Sequence, residues 1–185
     1  MTAGRKSVTE NKDWCTPRKY VNAINEFFGR QVALDPCSSK FSILHAEVEY
    51  MLPDKDGLRE SWNFPTIYVN PPYGADKARD TTIKDWIRMC DLAHQKYGAE
   101  VLALVPVATN TRHWKDHIFG KAAGICFLAD TRLRFIINGT ENNKGAPMSC
   151  AMVYWGKNLD RFNEVFSRFG AVVSAVRREL LEELV

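Results

Sequence analysis

No apolar run in this chain approaches the roughly 18 to 20 residues that cross a bilayer, and the opening MTAGRKSVTENK lacks the apolar centre of a secretory signal. A membrane partner is excluded on that ground, and a cytoplasmic protein is expected. Cysteine is sparse and unpatterned: Cys15, Cys37, Cys90, Cys126 and Cys150 are an odd number at wide intervals. That spacing suggests neither a disulfide framework nor a Cys-x-x-Cys metal site, and leaves reduced thiols. Charge of one sign is lacking as well, since the formal net charge is only +3. Such a balance permits a polyanionic partner without announcing one. Internal repeats and low-complexity tracts are absent. What remains is 185 residues with 45% hydrophobic, 25% charged and 11% aromatic content. That is enough for one compact domain over 1–185, but too little for two.

Periodicity places the elements. Thr16-Pro17 opens a helical pattern with Val21, Ile24, Phe27 and Phe28 on one side and Gly29 at its end, Thr16 serving as cap. Gln31–Leu34 reads as a short buried strand stopped by Asp35-Pro36, and 45–51 as a second strand. Thr66–Val69 is a third, and the prolines of Asn70-Pro71-Pro72-Tyr73-Gly74 forbid its continuation. A helix from Thr81 to Gly98 and a strand Val101–Val105 halted by Pro106 follow. The alternation predicts an α/β domain. Its sheet is expected to be mostly parallel with an antiparallel end, completed by a helix near 111–118 and strands near 123–128, 132–137 and 149–155. Residues 138–145 read as a loop, 1–12 as a flexible start, and 157–185 as a terminal helical segment with helices at 159–169 and 175–184. Ligands of such sheets sit beyond the carboxyl ends of the strands, where Asp35, Asn70 and Pro106 are expected to gather.

Asn70-Pro71-Pro72-Tyr73 is the most specific signal, and it resembles the catalytic motif of amino-group methyltransferases. An exocyclic amine is a poor nucleophile while its lone pair is delocalised into the ring. The Asn70 side-chain oxygen and the Pro71 carbonyl can each accept one N–H and draw the nitrogen toward tetrahedral geometry. Proline's locked φ and missing N–H hold the loop open, and Tyr73 offers a flat face for an extruded base.

Around that motif stand Asp13-Trp14-Cys15-Thr16-Pro17, Leu34-Asp35-Pro36-Cys37-Ser38-Ser39, Asp56-Gly57-Leu58 with Trp62, and Leu104-Val105-Pro106 with Thr109, Thr111 and Trp114. Arg132-Leu133-Arg134-Phe135 and Ala146-Pro147 with Ser149 follow. Through these segments the chain resembles the phage and prophage DNA N-6-adenine methyltransferase (Dam) family over roughly residues 13–156, and the order of the blocks suits methyltransferases of the Rossmann-like class. The resemblance implies S-adenosylmethionine as methyl donor and DNA as partner. It implies that Thr16, Pro17, Asp35, Pro36, Cys37 and Ser38 surround the methionine portion, with Asp35 pairing with the ammonium and the Thr16 hydroxyl holding the carboxylate. Asp56 would accept from the cofactor's adenine amine, and Asn70 would border the cofactor. Either Glu47 or Glu49 would hold the ribose. One departure stands out: the turn after Asp35 carries no glycine, where many methyltransferases have two or three.

Lys77, Arg79, Arg112, Arg132 and Arg134 fall in or beside loops around the crevice, where they can neutralise phosphates. Lys115 shares that region, and loops 76–82 and 138–147 are the candidates for touching DNA. Phe135 packs against the target base if the resemblance holds, and in the core otherwise. His113 and His117 are four apart but have no third ligand in view, so no metal is expected. Cys37 lacks the partners of a nucleophile, and the five tryptophans read as core. Two rival functions remain: a methyltransferase of RNA or of protein glutamine, and an inactive nucleic-acid-binding relative. Oligomeric state and recognition sequence are not encoded in any readable motif.

Overall fold

The computed structural model describes residues 14–130, 133–141 and 145–175. Strand β1 (Trp14–Cys15) leads into α1 (Arg18–Phe28), β2 (Leu34–Asp35) and β3 (Val48–Glu49). Strand β4 (Thr66–Val69) precedes α2 (Ile83–Tyr97), and β5 (Glu100–Pro106) precedes α3 (Arg112–His117). Then come β6 (Gly124–Leu128), β7 (Ile136–Ile137), β8 (Thr140–Glu141), β9 (Cys150–Trp155), α4 (Leu159–Phe166) and β10 (Gly170–Ser174).

The helices form where spacing and caps agree. Tyr20, Val21, Ile24 and Phe27 are buried along one stripe of α1, and Gly29 closes it at φ +64° with its N–H on the Asn25 carbonyl. Its N-cap is Pro17 rather than Thr16, because the Thr16 hydroxyl is bonded to Tyr68 Oη at 2.7 Å. In α2 the Thr82–Asp85 capping box sets the start and Gly98 the stop.

Seven strands form the main sheet in the order β10-β6-β9-β5-β4-β2-β3. Strands β3, β2, β4 and β5 are parallel, while the β5–β9, β9–β6 and β6–β10 neighbours are antiparallel. The sheet is therefore mixed, with as many antiparallel contacts as parallel, because β9 inserts in reverse between β5 and β6. Successive side chains of the central strands enter opposite cores. Tyr68, Leu102, Leu104, Met152 and Tyr154 meet α1 and α4 on one face. Ile67, Val69, Val101, Ala103 and Val153 meet Trp86 and Ile87 of α2 and Trp114 of α3 on the other. Burial on both faces explains why these strands read as continuous apolar runs.

Several expectations shift. Strand β5 ends at Pro106, which is its last residue and pairs with Cys150, and the Val107 N–H donates to the Ser149 carbonyl on the β9 side. The Pro106 nitrogen therefore faces the β4 side, where pairing has already ended at Val69–Ala103. The strand foreseen at 132–137 shrinks to Ile136–Ile137 in a separate small sheet, β1-β7-β8. Part of the loop foreseen at 138–145 is a hairpin, with Asn138 and Gly139 at positive φ between β7 and β8. Within the terminal segment, Gly170–Ser174 is a strand pairing with β6 over five positions. The helix foreseen at 175–184 falls, apart from Ala175, outside the described residues, as do the N-terminal 1–13, Arg132 and 142–144.

Candidate active site

The parallel strands bring their carboxyl ends to one edge of the sheet, and the register decides what meets there. Asp35 at the end of β2 lies opposite Glu49 at the end of β3, and Leu34 lies opposite Ile67, so Asn70 follows β4 beside the Asp35 turn. The Cys37 sulfur interacts with the Asn70 backbone N–H, and burial pushes that thiol well above its usual range. Cys37 is a half-buried linker between the two loops rather than a thiolate.

The Asn70 side chain is oriented by β1. Its Nδ2 donates to the Trp14 carbonyl at 2.6 Å, so the amide's acceptor oxygen Oδ1 faces away from Trp14. Trp14 is held there by antiparallel pairing with Ile137, and its ring stacks on Phe135 at 5.2 Å. Pro71 is buried. Tyr73 turns inward: its hydroxyl donates to the Leu104 carbonyl at 3.2 Å, and its ring meets Phe135 edge-on at 5.9 Å. Phe135 is 2% exposed. The Tyr73 hydroxyl is thus directed into the fold, and Phe135 takes the core position that was the other reading open to it. Four of the five tryptophans are buried in the core, but Trp14 is only half-buried. Its contribution to the site is a main-chain carbonyl, which residue type does not reveal.

Asp35 is 5% exposed, and its Oδ1 accepts the Cys37 backbone N–H at 3.1 Å. Desolvation, with a smaller contribution from the Glu49 charge, raises its pKa from 3.8 to about 7, against the opposing hydrogen bonds from Cys37. Ser38 Oγ approaches the same carboxylate but forms no hydrogen bond of good geometry. Ser38 Oγ and Glu49 Oε1 are buried polar atoms without a partner. Groups of this kind are rare in folded proteins and call for a partner such as water, an ion or a ligand; the same holds for Trp114 Nε1 in the core beneath α3. Glu47 is exposed, which separates the two acidic candidates. The Thr16 hydroxyl is bonded to Tyr68 Oη at 2.7 Å, which occupies one of its three hydrogen-bonding positions. The start of α1 beside it carries no acid in its first turn; its Tyr20 and Val21 N–H groups donate to the Pro17 carbonyl at 3.0 and 3.1 Å, and the Arg18 and Lys19 N–H groups precede them.

The missing glycine of the Asp35 turn comes from another segment. Gly57 lies against Pro36 so closely that a Cβ would stand 1.7 Å from the Pro36 carbonyl oxygen. Trp62 Nε1 holds the Gly57 carbonyl at 2.7 Å. Asp56 is thereby fixed over the Asp35 loop, with its Oδ1 accepting the Leu58 N–H at 3.1 Å.

The basic residues divide. Lys77, Arg112 and Arg134 are exposed, although Arg112 leans on Asp116 at 3.6 Å. Arg134 lines an open cavity of about 280 Å³ with Pro17, Lys19, Asp130 and Glu141. Arg79 instead points inward to Asp56 and Asp76. His117 pairs with buried Asp91 at 2.9 Å, and His113 faces the Thr111 hydroxyl at 3.2 Å. Among the described residues no group of three or more His, Cys, Asp or Glu could hold a metal ion. Nor does any helix among them have the length and apolarity to cross a membrane.

An α/β sheet with an Asn-Pro-Pro-Tyr loop at the end of a central strand suits a methyltransferase, and comparison with known families agrees. The chain belongs to the DNA N-6-adenine-methyltransferase (Dam) family, whose model matches residues 4–183. That family implies activity on adenine in DNA. No curated protein matches the chain.

Proposed function

We propose that this chain, folded as a single Rossmann-like domain and working in the cytoplasm, transfers a methyl group from S-adenosylmethionine to N6 of a flipped adenine in DNA. The observation that carries this reading is the Asn70 amide. With Nδ2 held by the Trp14 carbonyl, Oδ1 is committed to accepting, which is the role an amine N–H requires. Asn70 Oδ1 and the Pro71 carbonyl then orient the amine, and positioning contributes most of the rate.

S-adenosylmethionine when bound would supply a methyl group on a cationic sulfonium. The residues present fit it. Asp35 offers a desolvated carboxylate for an ammonium, the first turn of α1 offers N–H groups for a carboxylate, and the orphaned Glu49 Oε1 and Ser38 Oγ offer acceptors for hydroxyl or amine donors. Glu49 is the ribose residue in this reading. Asp56 keeps Oδ2 for the adenine amine, and Pro36 and Cys37 form the wall between the two loops. Lys77, Arg112 and Arg134 meet phosphates, with Arg132 beside them in sequence.

The test is methylation of DNA by purified protein with S-adenosylmethionine, followed by nucleoside digestion and mass spectrometry. N6-methyladenine is the expected product. Methyl groups on cytosine N4, on RNA alone or on a protein glutamine would overturn the reading.

A further inference from the structure

Arg79 belongs to the loop that follows Asn-Pro-Pro-Tyr, yet its side chain is withdrawn from solvent at 17% exposure. Its Nη1 donates to Asp56 Oδ1 at 3.0 Å and its Nε to Asp76 Oδ2 at 3.1 Å. Both carboxylates are themselves shielded, at 15% and 11%. The loop is closed on itself by reciprocal Asp76–Thr81 main-chain bonds, and Asp76 Oδ1 accepts from the Ala78 and Arg79 N–H groups. One guanidinium fork therefore ties this small closed loop, with exposed Lys77 at its tip, to the Asp56 turn that Gly57 presses onto the Asp35 loop. Asp56 divides its oxygens: Oδ1 serves the fork and the Leu58 N–H, whereas Oδ2 has, among the described residues, Arg59 Nε at 3.6 Å, beyond hydrogen-bond length.

We propose that Arg79 is a positioning residue rather than a phosphate contact. It latches the loop that meets DNA to the turn that receives the cofactor, so that filling the cofactor pocket sets the DNA-facing loop. This rests on the function proposed above. A ligand drawing on Asp56 Oδ2 stiffens the carboxylate that Arg79 holds, and the fork passes that constraint to residues 75–82. By linkage, DNA on the loop must in turn favour the cofactor.

The test compares wild type, Arg79→Ala and Arg79→Lys by amide hydrogen exchange over residues 75–82. It adds calorimetric affinity for S-adenosylmethionine, with and without DNA, and the salt dependence of DNA affinity. In Arg79→Ala, exchange at the Ala78 and Thr81 amides should quicken. Cofactor affinity should fall about tenfold, and the mutual strengthening of cofactor and DNA, about fivefold in wild type, should vanish. The slope of log affinity against log salt should not change. Arg79→Lys keeps the charge but not the fork, and should behave like Arg79→Ala. A slope shallower by about 0.9 in Arg79→Ala, restored in Arg79→Lys, would make Arg79 a phosphate contact and overturn the proposal. Unchanged exchange in Arg79→Ala overturns it without any ligand. Failure of wild type to bind S-adenosylmethionine would instead sink the proposed function, while exchange still reports on the latch.

Discussion

At the residue scale the choice of asparagine over aspartate at position 70 has a local cause. The Trp14 carbonyl at 2.6 Å from Nδ2 requires a donor, which a carboxylate does not supply. Asn70→Asp would set two acceptors against each other and swing the side chain away. Methyl transfer is expected to fall by about 100-fold or more, with cofactor affinity largely kept, because the lost contact acts on the amine in the transition state. Calorimetry with tritiated-methyl transfer separates the two quantities, and wild-type turnover would remove Asn70 from its role. Asp35 carries a pH prediction. Its folded pKa of about 7 lies above the ordinary 3.8, so the folded state holds a proton that the unfolded state has already lost. Stability of the free protein should therefore fall as pH rises from about 4 to about 7. A cationic ligand relieves the unpaired charge, so the thermal shift produced by S-adenosylmethionine should be larger at about pH 8 than at about pH 6. Asp35→Asn should flatten both trends.

At the element scale, the site is built by turns from different parts of the chain that lean on one another. Gly57 is required by close approach, not by its backbone angle. Adding a Cβ 1.7 Å from the Pro36 oxygen must push the Asp56 turn off the Asp35 loop. Gly57→Ala should cost about 1–3 kcal/mol of stability, in the range of overpacking substitutions, and should weaken cofactor binding more than DNA binding. Chemical denaturation gives the first quantity and calorimetry the second. Unchanged cofactor affinity would show that the Asp56 turn is not part of the pocket. The hairpin of β7 and β8 is another such support, because its pairing with β1 carries Trp14 to Asn70. The Asn138-Gly139 dipeptide between two isoleucines and a threonine suits that turn, although composition alone reads 138–145 as a loop. Its partner, a two-residue strand some 120 residues earlier in the chain, had no local signature.

At the scale of the whole molecule, a net charge of +3 leaves affinity for a polyanion to a few cations at the strand-end edge. If Lys77, Arg112 and Arg134 each neutralise one phosphate, DNA affinity should vary with salt at a slope of about −2.7. It should then drop about 40-fold between about 50 and 200 mM. Cofactor binding should change much less. Filter binding across a salt series measures the slope, and a value near zero would place DNA on another face.

The chain's local chemistry determined a good deal by itself. Thr66–Val69 before two prolines, the α2 pattern between its cap and Gly98, and the apolar run Val101–Val105 of β5 carried the elements they form in their own residues. Each is set by neighbours within a few residues, through periodicity, caps and prolines. The Asn-Pro-Pro-Tyr loop and the Asp35 turn were visible for the same reason. Tertiary structure alone decided the rest. Only folding could bring the Trp14 carbonyl to Asn70, press Gly57 onto Pro36, leave Glu49 Oε1 without a partner beside Asp35, and turn Arg79 and Tyr73 inward. Those outcomes depend on register between strands and on approach between distant turns. A side chain's type names the bonds it can make, and only its surroundings decide which of them it does make.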